Sequence, residues 1–377
     1  DEMGVVNMKI GIDGRAASWY RGTGIGTYTY QLIKNLEDID SFNEYYFFWP
    51  GDDYDFLKRG PMFKVEEIGK KKNLFWEEVH IPSRLSEEGV DIYHVPQNGI
   101  GLPRRKESKY VVTIHDLIPY TMPETVGKGY LRIFLNKMPR ILEEADLIVT
   151  VSQYSKDDII RFFNIPAEKI VVTHLAPEKF YRPLPDKEIR PFLNKYNLQP
   201  NYILYVGGFS QRKNIRVIIK SLAKIKDQLP EDYRLVIAGK HGRAYDSLME
   251  TIRANGLEDR VDLPGFIPVE EMAHLYNGAR LFVYPSYYEG FGLPPLEAMA
   301  CGVPVITSNV TSIPEVVGTG AEMFKPDDGD RLSDLMYNIL SDEDNWLDLK
   351  RRGSKRVAQF DWRKTAAQTL QAYFKLF

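Results

Sequence analysis

Two glutamates eight positions apart, Glu289 and Glu297, enclose the segment Gly290-Phe-Gly-Leu-Pro-Pro-Leu296. The run before them, Leu281-Phe-Val-Tyr-Pro285, is short, apolar and closed by a proline, and Leu296-Glu-Ala-Met-Ala300 after them is strongly helix-forming. A strand-to-helix turn is therefore predicted. At such a turn free backbone N–H groups and the positive end of the helix dipole converge on one spot, which suits a diphosphate. Gly290 and Gly292 allow close backbone approach, and Pro294 and Pro295 fit the first helical turn, where a missing N–H costs nothing. A carboxylate on each side can hydrogen-bond sugar or ribose hydroxyls flanking the phosphates. The alternative reading is a solvated loop with two unrelated glutamates.

Other segments offer complementary chemistry. Tyr202-Ile-Leu-Tyr-Val-Gly-Gly-Phe-Ser210 runs into Gln211-Arg-Lys-Asn214 and an amphipathic helix. Two cations at a helix start oppose the dipole unless an anion sits there, so Arg212 and Lys213 favour a diphosphate partner over a bare solvated face. Asp13-Gly-Arg15 closes an N-terminal strand, and Gly22-Thr-Gly-Ile-Gly-Thr27 then opens a helix. This passage lets the backbone approach a ligand, although Thr29 stands where a dinucleotide fingerprint would have its third glycine. Val111-Val-Thr-Ile-His-Asp-Leu-Ile118 places His115 at the end of a buried strand, where it reads either as a ligand contact or as a satisfied core histidine. Ser152 and Ser155 sit at another strand end, where helix capping explains them. The D-x-D pairs Asp38/Asp40, Asp328/Asp330 and Asp342/Asp344 do not end apolar strands, so a metal-bridged diphosphate is not expected.

These residues must be positioned by alternating strands and helices. Candidate strands are Lys9–Asp13, Tyr45–Phe48, Ile92–Val95, Tyr110–Ile114, Leu147–Val151 and Ile170–Thr173, then Tyr202–Val206, Arg234–Ala238, Val261–Leu263, Leu281–Tyr284, Val303–Thr307 and Ala321–Phe324. Two groups of six separated by helical stretches predict two similar α/β domains with parallel sheets. Ala176-Pro-Glu-Lys-Phe-Tyr-Arg-Pro-Leu-Pro185 carries three prolines and reads as the linker. After Asp361, a cap candidate, Ala366, Leu370, Tyr373, Phe374 and Phe377 recur at helical spacing, so a final helix over 362–377 is expected to pack back on one domain.

A chain of 377 residues is long enough for two domains. No apolar run approaches the ~20 residues of a membrane span and no signal-peptide pattern opens the chain, so a cytoplasmic protein is expected. Asp1 to Asn7 precede a natural-looking start and are expected to be an appended or frayed extension. Net charge is −3, with 23 basic and 27 acidic residues up to position 180 and 26 and 25 after it, which gives no sign of nucleic-acid binding. Lys70-Lys-Lys72 ahead of Leu74-Phe-Trp76, and Arg104-Arg-Lys106, read as solvated loops or as lipid or acceptor contacts. Cys301 is the only cysteine, excluding an intramolecular disulfide, and its apolar surroundings predict a packing role.

In order and spacing, Gly22 to Gly26, Thr113-Ile-His-Asp116, Ser152-Gln-Tyr-Ser155, Gly207 to Asn214 and Glu289 to Glu297 resemble the retaining glycosyltransferases of family 4. The opening Gly-Ile-Asp-Gly-Arg15 and His115-Asp-Leu-Ile-Pro119 look most like bacterial mannosyltransferases of polysaccharide assembly. The resemblance implies the GT-B fold, two Rossmann-like doubly wound domains facing across a cleft: an acceptor domain over 8–180, to which helix 362–377 would return, and a donor domain over 181–361. It implies that Arg212 and Lys213 neutralise the donor diphosphate, helped by backbone groups of Gly207, Gly208 and Phe291, Gly292 and Leu293. Glu297 would bind the ribose, Glu289 the transferred sugar, and the loop around Ile267, an ordinary turn by itself, the nucleobase. His115 would face the sugar, and Gly24 and Gly26 the phosphates or acceptor. The implied reaction moves a hexose, mannose from GDP-mannose, to a glycan or lipid-linked acceptor with retention, without metal or other cofactor. Peripheral association with the inner face of a membrane falls within the same expectation. UDP-sugar-dependent transfer of glucose or GlcNAc, donor epimerisation, and sugar-nucleotide binding without transfer are the alternatives.

Overall fold

The computed structural model describes residues 7–230, 233–242 and 244–377, so Asp1 to Val6 of the expected extension lie outside the described residues. The chain divides into two units, one running up to Leu175 and taking in Asp361–Phe377, the other Ala176–Phe360.

The first unit holds seven strands: β1 (Lys9–Asp13), β2 (Glu44–Pro50), β3 (Phe63–Ile68), β4 (Ile92–Val95), β5 (Lys109–Ile114), β6 (Leu147–Thr150) and β7 (Ile170–Val172). They pair in parallel in the order β3-β2-β1-β4-β5-β6-β7. The second unit adds β8 (Tyr202–Val206), β9 (Leu235–Ala238), β10 (Val261–Gly265), β11 (Ala279–Tyr284), β12 (Val305–Ser308) and β13 (Glu322–Phe324), parallel in the order β10-β9-β8-β11-β12-β13. Both orders reverse beside the first strand of the unit, the doubly wound Rossmann arrangement, in which ligands bind at the carboxyl ends of the strands flanking the reversal. Central strands such as Ile92–Val95 and Leu235–Ala238 are buried throughout, so their apolar runs need no alternation.

The first unit has one strand more than the six predicted. β3 escaped because Phe63-Lys-Val-Glu-Glu-Ile68 alternates charge with apolar side chains, which suffices at a sheet edge where burial is partial. Its charges are paired outward, Lys64 with Glu44 at 3.4 Å and Glu66 with Arg84 at 2.8 Å. β10 runs on through Pro264 and Gly265, where a turn was expected, and β12 starts at Val305 rather than Val303.

Helix starts follow their caps. Thr23, Ser152, Asp328, Asp342 and Asp361 each accept a backbone N–H of the first turn, so two of the D-x-D aspartates serve helix starts. Asp40 is buried and accepts the Tyr45 hydroxyl at 2.5 Å and the Asn43 amide at 2.7 Å. The final helix, Trp362–Phe374, belongs to the first unit. Its Tyr373 hydroxyl meets His94 Nδ1 on β4 at 2.6 Å, and Thr365 donates to the His174 carbonyl at 2.5 Å. Cys301 is buried, as its apolar neighbours predict.

Candidate functional site

In the second unit the order reverses between β8 and β11, and the charged residues gather at the carboxyl ends of those strands. β8 is followed by Gly207, with φ +148°, and a Cβ on Gly239, which packs beside it, would lie 1.9 Å from the Gly207 carbonyl oxygen. Only glycine permits that backbone approach. Gly208 follows, with open space where a Cβ would be. The turn Gln211–Lys213 then leads into the Ile215–Ile225 helix through Asn214, whose left-handed backbone lets its side-chain amide tie the Pro285 and Pro326 carbonyls at 3.0 and 2.9 Å.

From the end of β11 the buried Glu289 carboxylate meets Lys213 Nζ at 2.6 Å and Arg212 Nη1 at 3.1 Å. Arg212 also donates to the Tyr288 carbonyl at 2.7 Å, while its own carbonyl accepts the Tyr287 N–H at 2.8 Å. Burial pushes the Glu289 pKa up, but Lys213 and Arg212 outweigh it and hold the carboxyl at about 2. Glu289 is therefore an anion at neutral pH. The anion demanded by two adjacent cations is thus supplied by the protein itself, an option the sequence reading did not include.

The helix Leu293–Ala300 starts behind Gly292, whose φ of +93° suits glycine, with Pro294 and Pro295 in its first turn as predicted. Phe291 and Leu293 are buried, Phe291 edge-on to Phe360 at 6.2 Å. One turn along, Glu297 accepts the Tyr276 hydroxyl at 2.8 Å. Burial raises its pKa to about 7, the Tyr276 hydrogen bond opposing and the nearby Glu178 carboxylate adding to the rise. The loop after β12 holds the turn from behind: Ser312 Oγ lies 2.8 and 3.0 Å from the Glu289 and Phe291 carbonyls, and Thr311 Oγ1 accepts the Glu289 N–H at 3.1 Å. Ile267 is buried beyond the end of β10, next to an exposed Phe266 against which Lys240 rests at 5.1 Å.

In the first unit the reversal lies between β1 and β4. Asp13, at the end of β1, binds Arg15 at 2.7 Å and the Gln97 amide at 2.6 Å, and Arg15 reaches Glu77 at 2.9 Å, all buried. His115 follows β5. Its backbone N–H donates to Asn98 Oδ1 at 2.8 Å, and its ring Nε2 lies 2.8 Å from the Pro96 carbonyl, which fixes Nε2 as the protonated nitrogen and leaves Nδ1 as the acceptor. Burial lowers its pKa to about 4, so the ring is neutral at pH 7. The Tyr28 ring stands edge-on to it at 4.9 Å, its hydroxyl bonded to Thr113 at 2.9 Å, and Thr113 meets His94 at 2.7 Å.

Gly26 is explained by packing inside this unit. Its Cβ would lie 1.8 Å from the Tyr20 carbonyl oxygen, and its N–H is capped by Thr23 at 3.1 Å. Gly24 has open space where a Cβ would be. Ser152 caps the Gln153–Phe163 helix, and the Ser155 hydroxyl donates to the His115 carbonyl at 3.3 Å. The structure therefore brings Arg212, Lys213 and Glu289 together and places Glu297 on the following helix. His115, Gly24 and Gly26 belong to the other unit.

Comparison with known proteins decides the family. The family described as Glycosyltransferase Family 4 matches residues 22–176, and Glycosyl transferases group 1 matches residues 186–356. The chain is 36% identical to the O-antigen chain mannosyltransferase B of Escherichia coli over 94% of its own length and 96% of that protein's. The chain belongs to glycosyltransferase family 4. A further relative of this family 4 chain, the serotype-specific mannosyltransferase WbdA of Escherichia coli, is 31% identical over 71% of the chain, which spans about a third (34%) of that longer protein. Among solved structures, the sucrose-phosphate synthase of Thermosynechococcus elongatus superposes with a TM-score of 0.75, covering 98% of this chain and 99% of that one at 23% identity. That likeness gives the fold, the GT-B architecture of two Rossmann-like units. Among the described residues no helix is long and apolar enough to cross a membrane.

Tyr276, Thr311 and Ser312 were not singled out from the sequence. Tyr276 lies in a helix with nothing to mark it. A hint existed for the other two, since Ser308-Asn-Val-Thr-Ser312 is a polar cluster following a buried strand on the carboxyl edge of the sheet.

Proposed function

We propose that this family 4 glycosyltransferase moves mannose from GDP-mannose to a glycan or lipid-linked acceptor in cell-surface polysaccharide synthesis, with retention of anomeric configuration. The observation that carries the reading is the Arg212–Lys213–Glu289 cluster at the strand-order reversal of the second unit. Two cations there are matched by one carboxylate, so an entering diphosphate meets net positive charge beside the backbone groups of Gly207, Gly208 and the Leu293–Ala300 helix start. Arg212 and Lys213 stabilise charge on the departing nucleotide without help from a protein-bound metal. Glu289, held ionised, accepts hydroxyl hydrogens of the transferred sugar, and Glu297 accepts those of the ribose. Neutral His115, in the first unit, carries Nδ1 as an acceptor. The bond from the anomeric carbon to the phosphate oxygen breaks, the acceptor oxygen bonds to the same face, and the leaving phosphate oxygen takes the acceptor proton. No protein nucleophile is required.

The similarity to an O-antigen mannosyltransferase over nearly the whole chain supports mannose as the sugar and a polysaccharide precursor as the acceptor. Exposed Leu74, Phe75 and Val79 beside Lys71 and Lys72 support peripheral membrane association.

The test is thermal unfolding in the presence of GDP, UDP, ADP and their sugar conjugates, because a ligand that binds only the folded state raises the melting temperature. A selective rise with GDP and GDP-mannose is expected. Selectivity for UDP would replace mannose by glucose or GlcNAc, and no rise with any nucleotide would leave a GT-B protein without donor binding.

A further inference from the structure

Among the described residues, the non-glycine positions with positive φ are five asparagines and Thr311, at φ +54°. Asparagine tolerates the left-handed region, whereas a β-branched residue there is an outlier. The local geometry makes the choice of threonine stranger. The Ile313 N–H bonds the Val310 carbonyl at 3.1 Å, and Ser312 has φ −76° and ψ −14°, so Thr311 and Ser312 are the central residues of a turn with the φ signs of type II′. Glycine is the residue such a turn favours at its first central position.

What the threonine adds is its hydroxyl. Thr311 Oγ1 accepts the Glu289 N–H at 3.1 Å, and Ser312 Oγ, buried, reaches the Glu289 and Phe291 carbonyls. The next element back joins the same seam, since Ser308 Oγ donates to the Ser286 carbonyl at 2.6 Å. The loop after β12 thus fixes both peptide groups of Glu289. With that backbone fixed, the carboxylate falls between Lys213 and Arg212, and the Tyr288 carbonyl falls on Arg212. Strained non-glycine backbone persists where its surroundings over-determine it, and it concentrates at functional sites.

We infer that Thr311 is a positioning residue for donor binding: it is kept in a conformation unfavourable for threonine because its hydroxyl sets the backbone of Glu289, and through it the Arg212–Lys213–Glu289 cluster. This rests on the reading of that cluster as the donor site.

Three substitutions separate strain from positioning. Thr311→Val keeps the β-branched shape and the strain but removes the acceptor. Nucleoside diphosphate affinity should fall about five- to tenfold, the factor a single hydrogen bond commands. Hydrogen exchange of the peptide carrying Glu289 to Phe291 should also quicken in the ligand-free protein. Thr311→Ser keeps the hydroxyl with less crowding and should restore both affinity and protection, with a melting temperature at or above that of the parent. Thr311→Ala serves in place of valine if that variant does not fold. Unchanged affinity and unchanged exchange in the valine variant would overturn the inference, as would a serine variant that fails to restore them. If the parent chain binds none of GDP, UDP and ADP, the donor-site reading falls instead, and the exchange measurement still decides whether Thr311 holds Glu289.

Discussion

At the residue scale, the two glutamates of the Glu289–Glu297 segment have opposite electrostatic environments, and that difference is open to titration. Glu289 sits against two cations and its pKa is held at about 2, so it contributes stability that is present above the ordinary value of 4.5 and lost as pH falls from there through 2. Glu297, removed from water and near Glu178, is raised to about 7. Between pH 4.5 and 7 its folded form holds a proton that the unfolded form has lost, so it withdraws stability as pH rises through that window. Glu297→Gln should therefore gain stability relative to the parent on going from pH 5 to pH 8, by on the order of 1–2 kcal/mol. At pH 8, where Glu297 is ionised, the same change should weaken nucleotide-sugar binding by roughly 1.5–3 kcal/mol as the charged hydrogen-bond acceptor is lost. Urea titrations at the two pH values and a binding isotherm check both; an identical stability difference at pH 5 and pH 8 would refute the assigned environment. The spacing of these carboxylates was legible in the sequence because both lie on one local strand-to-helix turn. Their partners were less so: the cations at 212 and 213 were visible as seekers of an anion, but that Glu289 is that anion depends on β8 and β11 lying side by side. Tyr276, which donates to Glu297 from 21 residues away, left no local signal.

At the element scale, buried parallel strands were readable because they are apolar on both faces, and capped helices because Ser152 and Asp361 precede them. The segment between β3 and β4 was less readable, because what shapes it is distant. There the chain passes through a π turn, Trp76–His80, into the helix Ile81–Glu88. Glu77 on its inner side is locked to Arg15 at 2.9 Å, and Trp76 packs against the core, its indole so close to Gly69 that a Cβ there would lie 2.3 Å from the ring nitrogen. That anchoring turns Leu74, Phe75 and Val79 outward, 66%, 51% and 48% exposed, beside the exposed Lys71 and Lys72. Apolar side chains flanked by lysines partition into an anionic lipid interface. The protein should co-sediment with vesicles containing anionic lipid and less with neutral ones. The double change Leu74→Ser and Phe75→Ser should reduce binding by about tenfold or more, since each buried apolar side chain is worth roughly 1.5–3 kcal/mol. Sedimentation that is indifferent both to lipid charge and to this double substitution would remove the membrane role from this element.

At the scale of the whole molecule, the two units differ in how the chain enters them. The second, Ala176–Phe360, is one continuous stretch and contains Gly207, Gly208, Arg212, Lys213, Glu289 and Glu297 of the proposed donor site. The first is discontinuous, closed by Asp361–Phe377 after the chain has built the second. The Trp362–Phe374 helix is integral to that first core: Trp362, Ala366 and Tyr373 are buried, Tyr28 lies 6.2 Å from Trp362, and His94 Nδ1 is paired with the Tyr373 hydroxyl at 2.6 Å. Helical spacing in the sequence forecast this helix, but a choice between the two domains was beyond it, because the deciding partners, Tyr28, His94 and His174, lie 191 to 334 residues earlier. A fragment spanning 176–360 should therefore unfold cooperatively on its own. It should bind the nucleoside diphosphate preferred by the full chain within about tenfold of its affinity, a difference of ~1.4 kcal/mol. A fragment spanning 8–175 should not fold, because the apolar face under the helix is bared and the buried His94 loses its hydroxyl partner, which alone costs roughly 1–3 kcal/mol. Supplying the segment 361–377 in trans should restore structure to it. Circular dichroism melts of the fragments, with and without that peptide, read both expectations; a stable 8–175 fragment would show that the returning helix decorates the first core instead of completing it.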